Sequence, residues 1–166
     1  MTRRRLAGVA GVVALAAIGF LVWSRWGSND DRVIRERLEA LRTEVNRSTT
    51  DGLANVARAA SIGSYFTEDV VVDLGEGSAP IRGRLTLMGI AERLQARTAE
   101  FRMELDDVTI EMIPGGTTAD GTLTASFIRR NATGEESRDA REFGLGLVKS
   151  GGTWRIARVT AIDVLR

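Results

Sequence analysis

Few residue types in this sequence could do chemistry. Its 166 residues include no cysteine and no histidine. This excludes disulfides, zinc sites built on these ligands, thiol nucleophiles and any catalytic relay through histidine. Proton transfer would fall to aspartate, glutamate, tyrosine, arginine or Lys149, the single lysine. We therefore expect no metal and no cofactor, and the sequence identifies no catalytic residue.

Five residues are candidates for a ligand site. Arg129 and Arg158 each continue an alternating apolar pattern, so both could line a cavity. Tyr65 and Asp69 are predicted at the end of a helix, and Trp154 opens the last strand. Arginines that meet in a cavity could bind an anion or a carboxylate. The alternative is that the arginines pair with acids at the rim of a sheet and that Tyr65 belongs to the core.

The charges are unevenly distributed along the chain. Residues 1–27 contain four arginines and no acid, whereas the rest carries 19 basic and 22 acidic residues. A mildly acidic body lacks the positive surface that binds nucleic acids, so we expect no nucleic-acid partner.

An uncharged apolar segment follows the basic N-terminus. Residues 6–24 contain no charge and would form a helix of about 28 Å, close to the hydrocarbon thickness of a bilayer. Trp23 and Trp26 stand where an aromatic belt would lie. We expect a basic cytoplasmic tail at residues 1–5 and a transmembrane signal anchor at residues 6–26. A cleaved signal peptide is the alternative.

The three arginines at positions 3–5 favour a cytoplasmic N-terminus. A linker at residues 27–29 and a domain at residues 30–166 would then lie outside the cytoplasm. We expect a single-pass protein of the inner or cell membrane. Its partners would be the membrane, a second copy of the chain, and envelope proteins or a small hydrophobic ligand.

Apolar spacing predicts three helices in the soluble part. The first covers about residues 30–47, and its apolar residues Ile34, Leu38, Leu41 and Val45 share one face. The second runs from Leu53 through Val56, Ala57 and Ala60 to Tyr65 and Phe66. The third is predicted at residues 86–97, after short strands at residues 70–74 and 79–82.

From residue 100 onward the pattern is typical of strands. Apolar residues alternate at odd positions up to Leu105 and at even positions from Val108. This switch predicts a β-bulge at Asp106 and Asp107, although the two carboxylates could also bind a cation. Further strands are predicted around residues 123–130 and 143–147, and from Trp154 to about Val164.

Three local sequences, YFTEDV at residues 65–70, PIRGR at 80–84 and KSGGTWRI at 149–156, resemble the NTF2-like, or SnoaL-like, family in this order. The resemblance covers about residues 30–165. It implies an α+β fold, in which N-terminal helices pack on a strongly curved, mostly antiparallel sheet that encloses a conical cavity.

The resemblance leaves the function open, because the family hosts unrelated activities. Ketosteroid isomerases of this superfamily use two acids. Their general base would fall on Leu74, one residue after Asp73, and their second acid would fall in residues 143–148, which hold no carboxylate. Isomerase chemistry of that type is not supported.

Two hypotheses follow. The first is a membrane-anchored, extracytoplasmic ligand- or protein-binding and assembly module without catalysis, which resembles anchored secretion and envelope proteins. It would dimerise on the sheet's outer face, which carries Thr122, Thr124, Ser126 and Ile128. The alternative is a SnoaL-like isomerase, cyclase or hydrolase with a cavity acid or tyrosine. A cavity filled with Leu, Phe, Met and Trp would favour the first.

Overall fold

The computed structural model describes residues 29–47, 52–75, 77–95, 100–130 and 134–162. Helix α1 covers residues 29–46, and it is followed by α2 (Gly52–Gly63) and α3 (Arg84–Gln95). The six strands are β1 (Phe66–Asp73), β2 (Ile81–Arg82), β3 (Glu100–Met112), β4 (Thr118–Arg130), β5 (Glu136–Ser150) and β6 (Thr153–Ile162).

The predicted membrane anchor, residues 6–26, lies outside the described residues. Within those residues, no helix is both long enough and apolar enough to span a bilayer.

The strands form one mixed sheet in the order β2-β1-β6-β5-β4-β3. Only β1 and β6 run parallel among the described pairs, so the mostly antiparallel α+β fold is confirmed. The side chains of α1 that face the sheet include Ile34, Leu38 and Leu41, and all three are buried, as their spacing predicts.

A bulge in β3 lies where the sequence predicts it. Asp106 pairs with Thr124 but Thr109 pairs with Thr122, so two residues of β3 oppose a single residue of β4. Asp107 adopts a φ of 52°, a left-handed conformation that aspartate tolerates better than most residues. A Cβ on the neighbouring Gly121 would lie 3.0 Å from the backbone oxygen of Thr109, so a larger residue there would press on the backbone of the bulged strand. Bulges of this kind bend the sheet.

A second bulge, between β5 and β6, contradicts the prediction for Arg158. Leu147 pairs with Ile156 but Gly146 pairs with Arg158, so Ala157 is an extra residue. Before the bulge the even-numbered residues Trp154 and Ile156 face inward. After it the odd-numbered positions do, and Val159 packs against the core. The prediction that Arg158 continues the inward apolar stripe is wrong: Arg158 is exposed on the outer face.

The second helix is shorter than predicted. It ends at Gly63, and Tyr65 lies in the turn that follows. The backbone nitrogen of Tyr65 donates to the carbonyl oxygen of Ile62. Glycine ends helices readily, and the β-branched residues that follow favour a strand. Tyr65 and Asp69 are therefore not helical, and Asp69 is exposed on β1. The predicted apolar side of α2 also faces solvent, where Val56 is 67% exposed.

Helix α1 also covers the free edge of β3. The side-chain amide of Asn46 accepts from the Met103 nitrogen at 2.7 Å and donates to the Met103 oxygen at 2.8 Å. Eleven residues earlier in the same helix, Arg35 donates to the carbonyl oxygen of Val108. These side chains take the place of a neighbouring strand, which protects an edge that could otherwise pair with another chain.

Candidate ligand-binding site

The described interior is largely filled with apolar side chains. One cluster joins α1, α2 and the inward positions of β4, β5 and β6. Its buried members are Ile34, Leu38, Leu41, Ile62, Ala119, Leu123, Ala125, Phe143, Leu145, Leu147, Trp154 and Ile156. The ring of Phe127 extends the cluster by an edge contact with Phe143, with 6.3 Å between the centroids. The part of the cone that the structure describes is therefore packed.

A small pocket lies between α1, the turn before β1, and strands β5 and β6. Its walls are apolar: Ile34, Leu38, Leu41, Leu147, Trp154 and Ile156. The space that a water-sized molecule can occupy in this pocket is about 10 Å³, and the pocket is open to solvent on one side. This space is near the minimum that holds one water molecule, so the pocket is a notch rather than a chamber.

Two arginines and Tyr65 complete the pocket lining. The Arg37 guanidinium lies 4.7 Å from the centroid of the Tyr65 ring, and its Nη2 donates to the Ser64 oxygen at 3.1 Å. The Nε of Arg37 is buried and has no acceptor in the described part of the chain. Arg155 donates from Nη1 to the Ser150 oxygen at 3.4 Å.

Behind the pocket, Trp154 belongs to a polar network that ties α1 to the β5–β6 hairpin. The Asp30 carboxylate accepts from Lys149 Nζ at 2.8 and 3.1 Å and from Trp154 Nε1 at 3.2 Å. Burial raises the pKa of Asp30, but the hydrogen bonds from Lys149 and Trp154 and the charge of Lys149 outweigh it. The pKa of this carboxyl is therefore below its ordinary value. Asp30 is thus an ionised structural group.

The structure brings two of the five predicted site residues together, since Tyr65 and Trp154 line the same pocket. Asp69 and Arg158 point to solvent elsewhere. Arg129 does lie on the same side of β4 as the inward residues Leu123, Ala125 and Phe127, but it is exposed beyond the packed core. The five residues do not form one site.

Sequence reasoning missed Arg37 and Arg155. Arg37 is three residues after Ile34 and four before Leu41, so helical spacing places it beside the apolar face. That spacing was a usable signal. No comparable signal marked Arg155, because its position at the pocket depends on how β6 lies against α1.

The carboxylates give little support for acid–base chemistry at this pocket. Glu44 is buried, but it pairs with Arg47 at 3.2 Å and is not part of the pocket lining. Leu74, at the isomerase base position, is exposed, and the Asp73 carboxylate accepts from the Gly75 nitrogen at 3.1 Å. No group of three or more acidic side chains that could hold a metal occurs in the described ranges.

Comparison with known proteins agrees with this fold. The model of the SnoaL-like domain family matches residues 51–160, more than half of the chain. The chain belongs to the SnoaL-like family. A search among curated proteins finds no match for this SnoaL-like chain.

Solved structures similar to this SnoaL-like chain share its fold at low identity. One, from Novosphingobium aromaticivorans and provisionally named a scytalone dehydratase, is 14% identical with a TM-score of 0.71, covering 86% of this chain and 89% of that one. A provisional dehydratase of the NTF2-like family from Streptomyces avermitilis is 14% identical with a TM-score of 0.66, covering 84% and 99%. A protein of unknown function from Mycobacterium tuberculosis is 22% identical with a TM-score of 0.63, covering 83% and 76%.

Proposed function

We propose that this SnoaL-like chain is a non-catalytic binding and assembly module, tethered to a membrane, that pairs with a second copy through the outer face of its sheet. The observation that carries the proposal is the contrast between the sheet's two faces. The inner face is packed with apolar side chains. The outer face has small side chains at its centre, at Thr122, Gly144 and Thr160, which lie opposite one another on β4, β5 and β6.

Charge favours a second copy as the occupant of this face. Along one cross-strand row, Glu111 pairs with Asp120, Asp120 with Gly146, and Gly146 with Arg158. Both acids and the arginine are exposed. A two-fold axis near Gly146 would set Arg158 of each copy against the acids of the other, as a self-complementary interface requires.

Light scattering on a protein that lacks residues 1–27 tests the pairing. We expect the mass of a dimer at high concentration and a fall towards the monomer on dilution. A monomer mass across the whole concentration series would remove the dimer proposal. The domain would then have to act through a different partner or through its pocket.

The tether rests on residues 6–26 and on the arginines before them. We propose that the domain lies outside the cytoplasm, where envelope proteins and secreted small molecules are available to it. A C-terminal alkaline phosphatase fusion should be active. An inactive phosphatase fusion, together with a bright C-terminal fluorescent protein that folds only in the cytosol, would show the reverse orientation.

An enzyme of the SnoaL-like kind is the second candidate. It is favoured by the provisional dehydratase names of two similar structures. It requires an inward acid or tyrosine with space beside it, and Glu44 is the buried carboxylate that the described residues offer. Its ion pair with Arg47 and the packed interior make this the weaker candidate.

A further inference from the structure

The first turn of α1 lies at one end of the long strands of the sheet. Asp30 binds Lys149 and Trp154, which flank the turn between β5 and β6. The chain that precedes residue 29 therefore joins the domain at this end, which we name the anchor end. We propose that the second copy on the outer face is a neighbour in the same membrane, with the anchor ends of both copies side by side. This inference rests on the proposed dimer and tether and specifies how the two copies are arranged.

The arrangement depends on the direction of the two-fold axis. When two sheets pack face to face as a symmetric pair, the axis lies between them and runs either along the strands or across them. An axis along β5 sets β6 of one copy against β4 of the other and leaves both anchor ends on the same side. An axis across the strands sets each strand against its own counterpart and places the anchor ends at opposite ends of the dimer.

The charges in the cross-strand row through Gly146 distinguish the two directions. Arg158 and Arg82 lie on one side of Gly146, and Asp120 and Glu111 lie on the other. All four are exposed, and none forms an ion pair within the described ranges. An axis along the strands sets arginine against acid. An axis across them, at the level of Gly146, sets Arg158 against Arg158 and Asp120 against Asp120, and such like-charge contacts oppose binding.

Glu142 is the charged residue of β5 nearest to the proposed axis on the outer face. Facing sheets cross at about 30°, so two β5 strands that cross at Gly146 diverge from that point. Four residues along the strand, or about 13 Å, the strands are displaced sideways by roughly 7 Å in addition to the spacing between the sheets. Each Glu142 is exposed and stays in water, so this pair opposes the arrangement only weakly.

Spin labels on the full chain in lipid nanodiscs test the direction of the axis. The sequence has no cysteine, so Ala140→Cys places one label per copy on the exposed outer side of β5. Ala140 lies six residues from Gly146, about 20 Å along the strand. We expect a distance between the two labels below about 30 Å, because an axis along the strands keeps them at one level. A longer distance, near the roughly 40 Å that an axis across the strands gives, would overturn the proposal.

Energy transfer between labelled chains tests whether the partner lies in the same membrane. Donor-labelled and acceptor-labelled Ala140→Cys chains should show transfer when they share vesicles at low protein density. They should show none when they are reconstituted separately and the vesicles are then mixed. Arg158→Glu should remove most of the transfer, whereas Arg129→Glu, on the opposite side of β4, should leave it unchanged.

The outcomes separate this inference from the function on which it rests. Transfer between separate vesicles would keep the dimer but overturn the shared membrane. Transfer that Arg158→Glu does not lower would show pairing that does not use the outer face, and would also overturn the inference. Chains that float with the vesicles but show no transfer would remove the dimer, and chains that do not float would remove the tether. The inference would fall in both cases.

Discussion

Replacing Trp154 with alanine is expected to lower the free energy of unfolding by about 3–5 kcal/mol. Trp154 is 1% exposed and packs in the cluster that joins β6 to α1. Its loss would leave a cavity and would remove one of the hydrogen bonds to Asp30. Urea unfolding followed by circular dichroism measures the change.

Leu85→Ala is the matched control for Trp154→Ala, because Leu85 is 87% exposed on α3. An exposed apolar residue contributes little to stability, so this change should stay within about 0.5 kcal/mol. If Trp154→Ala cost less than about 1 kcal/mol, the packing of β6 against α1 would be contradicted.

Breaking the Asp30–Lys149 pair is expected to cost about 1–3 kcal/mol for either Asp30→Asn or Lys149→Met, because each leaves the partner partly buried without its counter-charge. The double variant should cost less than the sum of the two single variants. An additive result would show that the two groups do not interact in solution.

The same pair gives a pH dependence with a defined sign. The folded-state pKa of Asp30 lies below its ordinary value of 3.8. The ionised carboxylate therefore stabilises the fold above about pH 4, and this contribution is lost as the pH falls through the folded-state pKa. The stability difference between the wild type and Asp30→Asn should be constant near neutral pH and should shrink below pH 4. A difference that grows on acidification would contradict the assignment.

The sequence was informative where a local pattern decides the structure. The parity switch between Leu105 and Val108 located the bulge in β3, because alternation along a strand reports which face is buried. The same reasoning fails in β6, where simple alternation after Trp154 and Ile156 predicts an inward Arg158. Val159 is apolar but lies three residues after Ile156. In a regular strand this odd spacing would put it on the opposite face, so it already indicates a change of face.

The candidate site was harder to predict, because its residues come from distant parts of the chain. Tyr65 and Trp154 come together because the start of β1 pairs with β6, where the Ile156 nitrogen donates to the Tyr65 oxygen at 2.9 Å. This parallel pairing joins segments about 90 residues apart, and no local pattern encodes it. The helical spacing of Arg37 from Ile34 and Leu41 signals a place beside the apolar face, but it is a weak signal, because charged residues there usually point to solvent. The structure strengthens it: Arg35 and Arg47 form ion pairs, whereas Arg37 forms none among the described residues.

Charge reversal across the outer face tests whether two copies pair through it. Sedimentation velocity on the domain without residues 1–27 should show a dimer, which Arg158→Glu weakens at least about tenfold because like charges then face each other. Adding Asp120→Arg to this variant should restore much of the affinity of the dimer. The control variant Arg129→Glu, on the opposite side of β4, should leave the affinity unchanged. A monomeric wild type, or a dimer that Arg158→Glu does not weaken, would contradict assembly through this face.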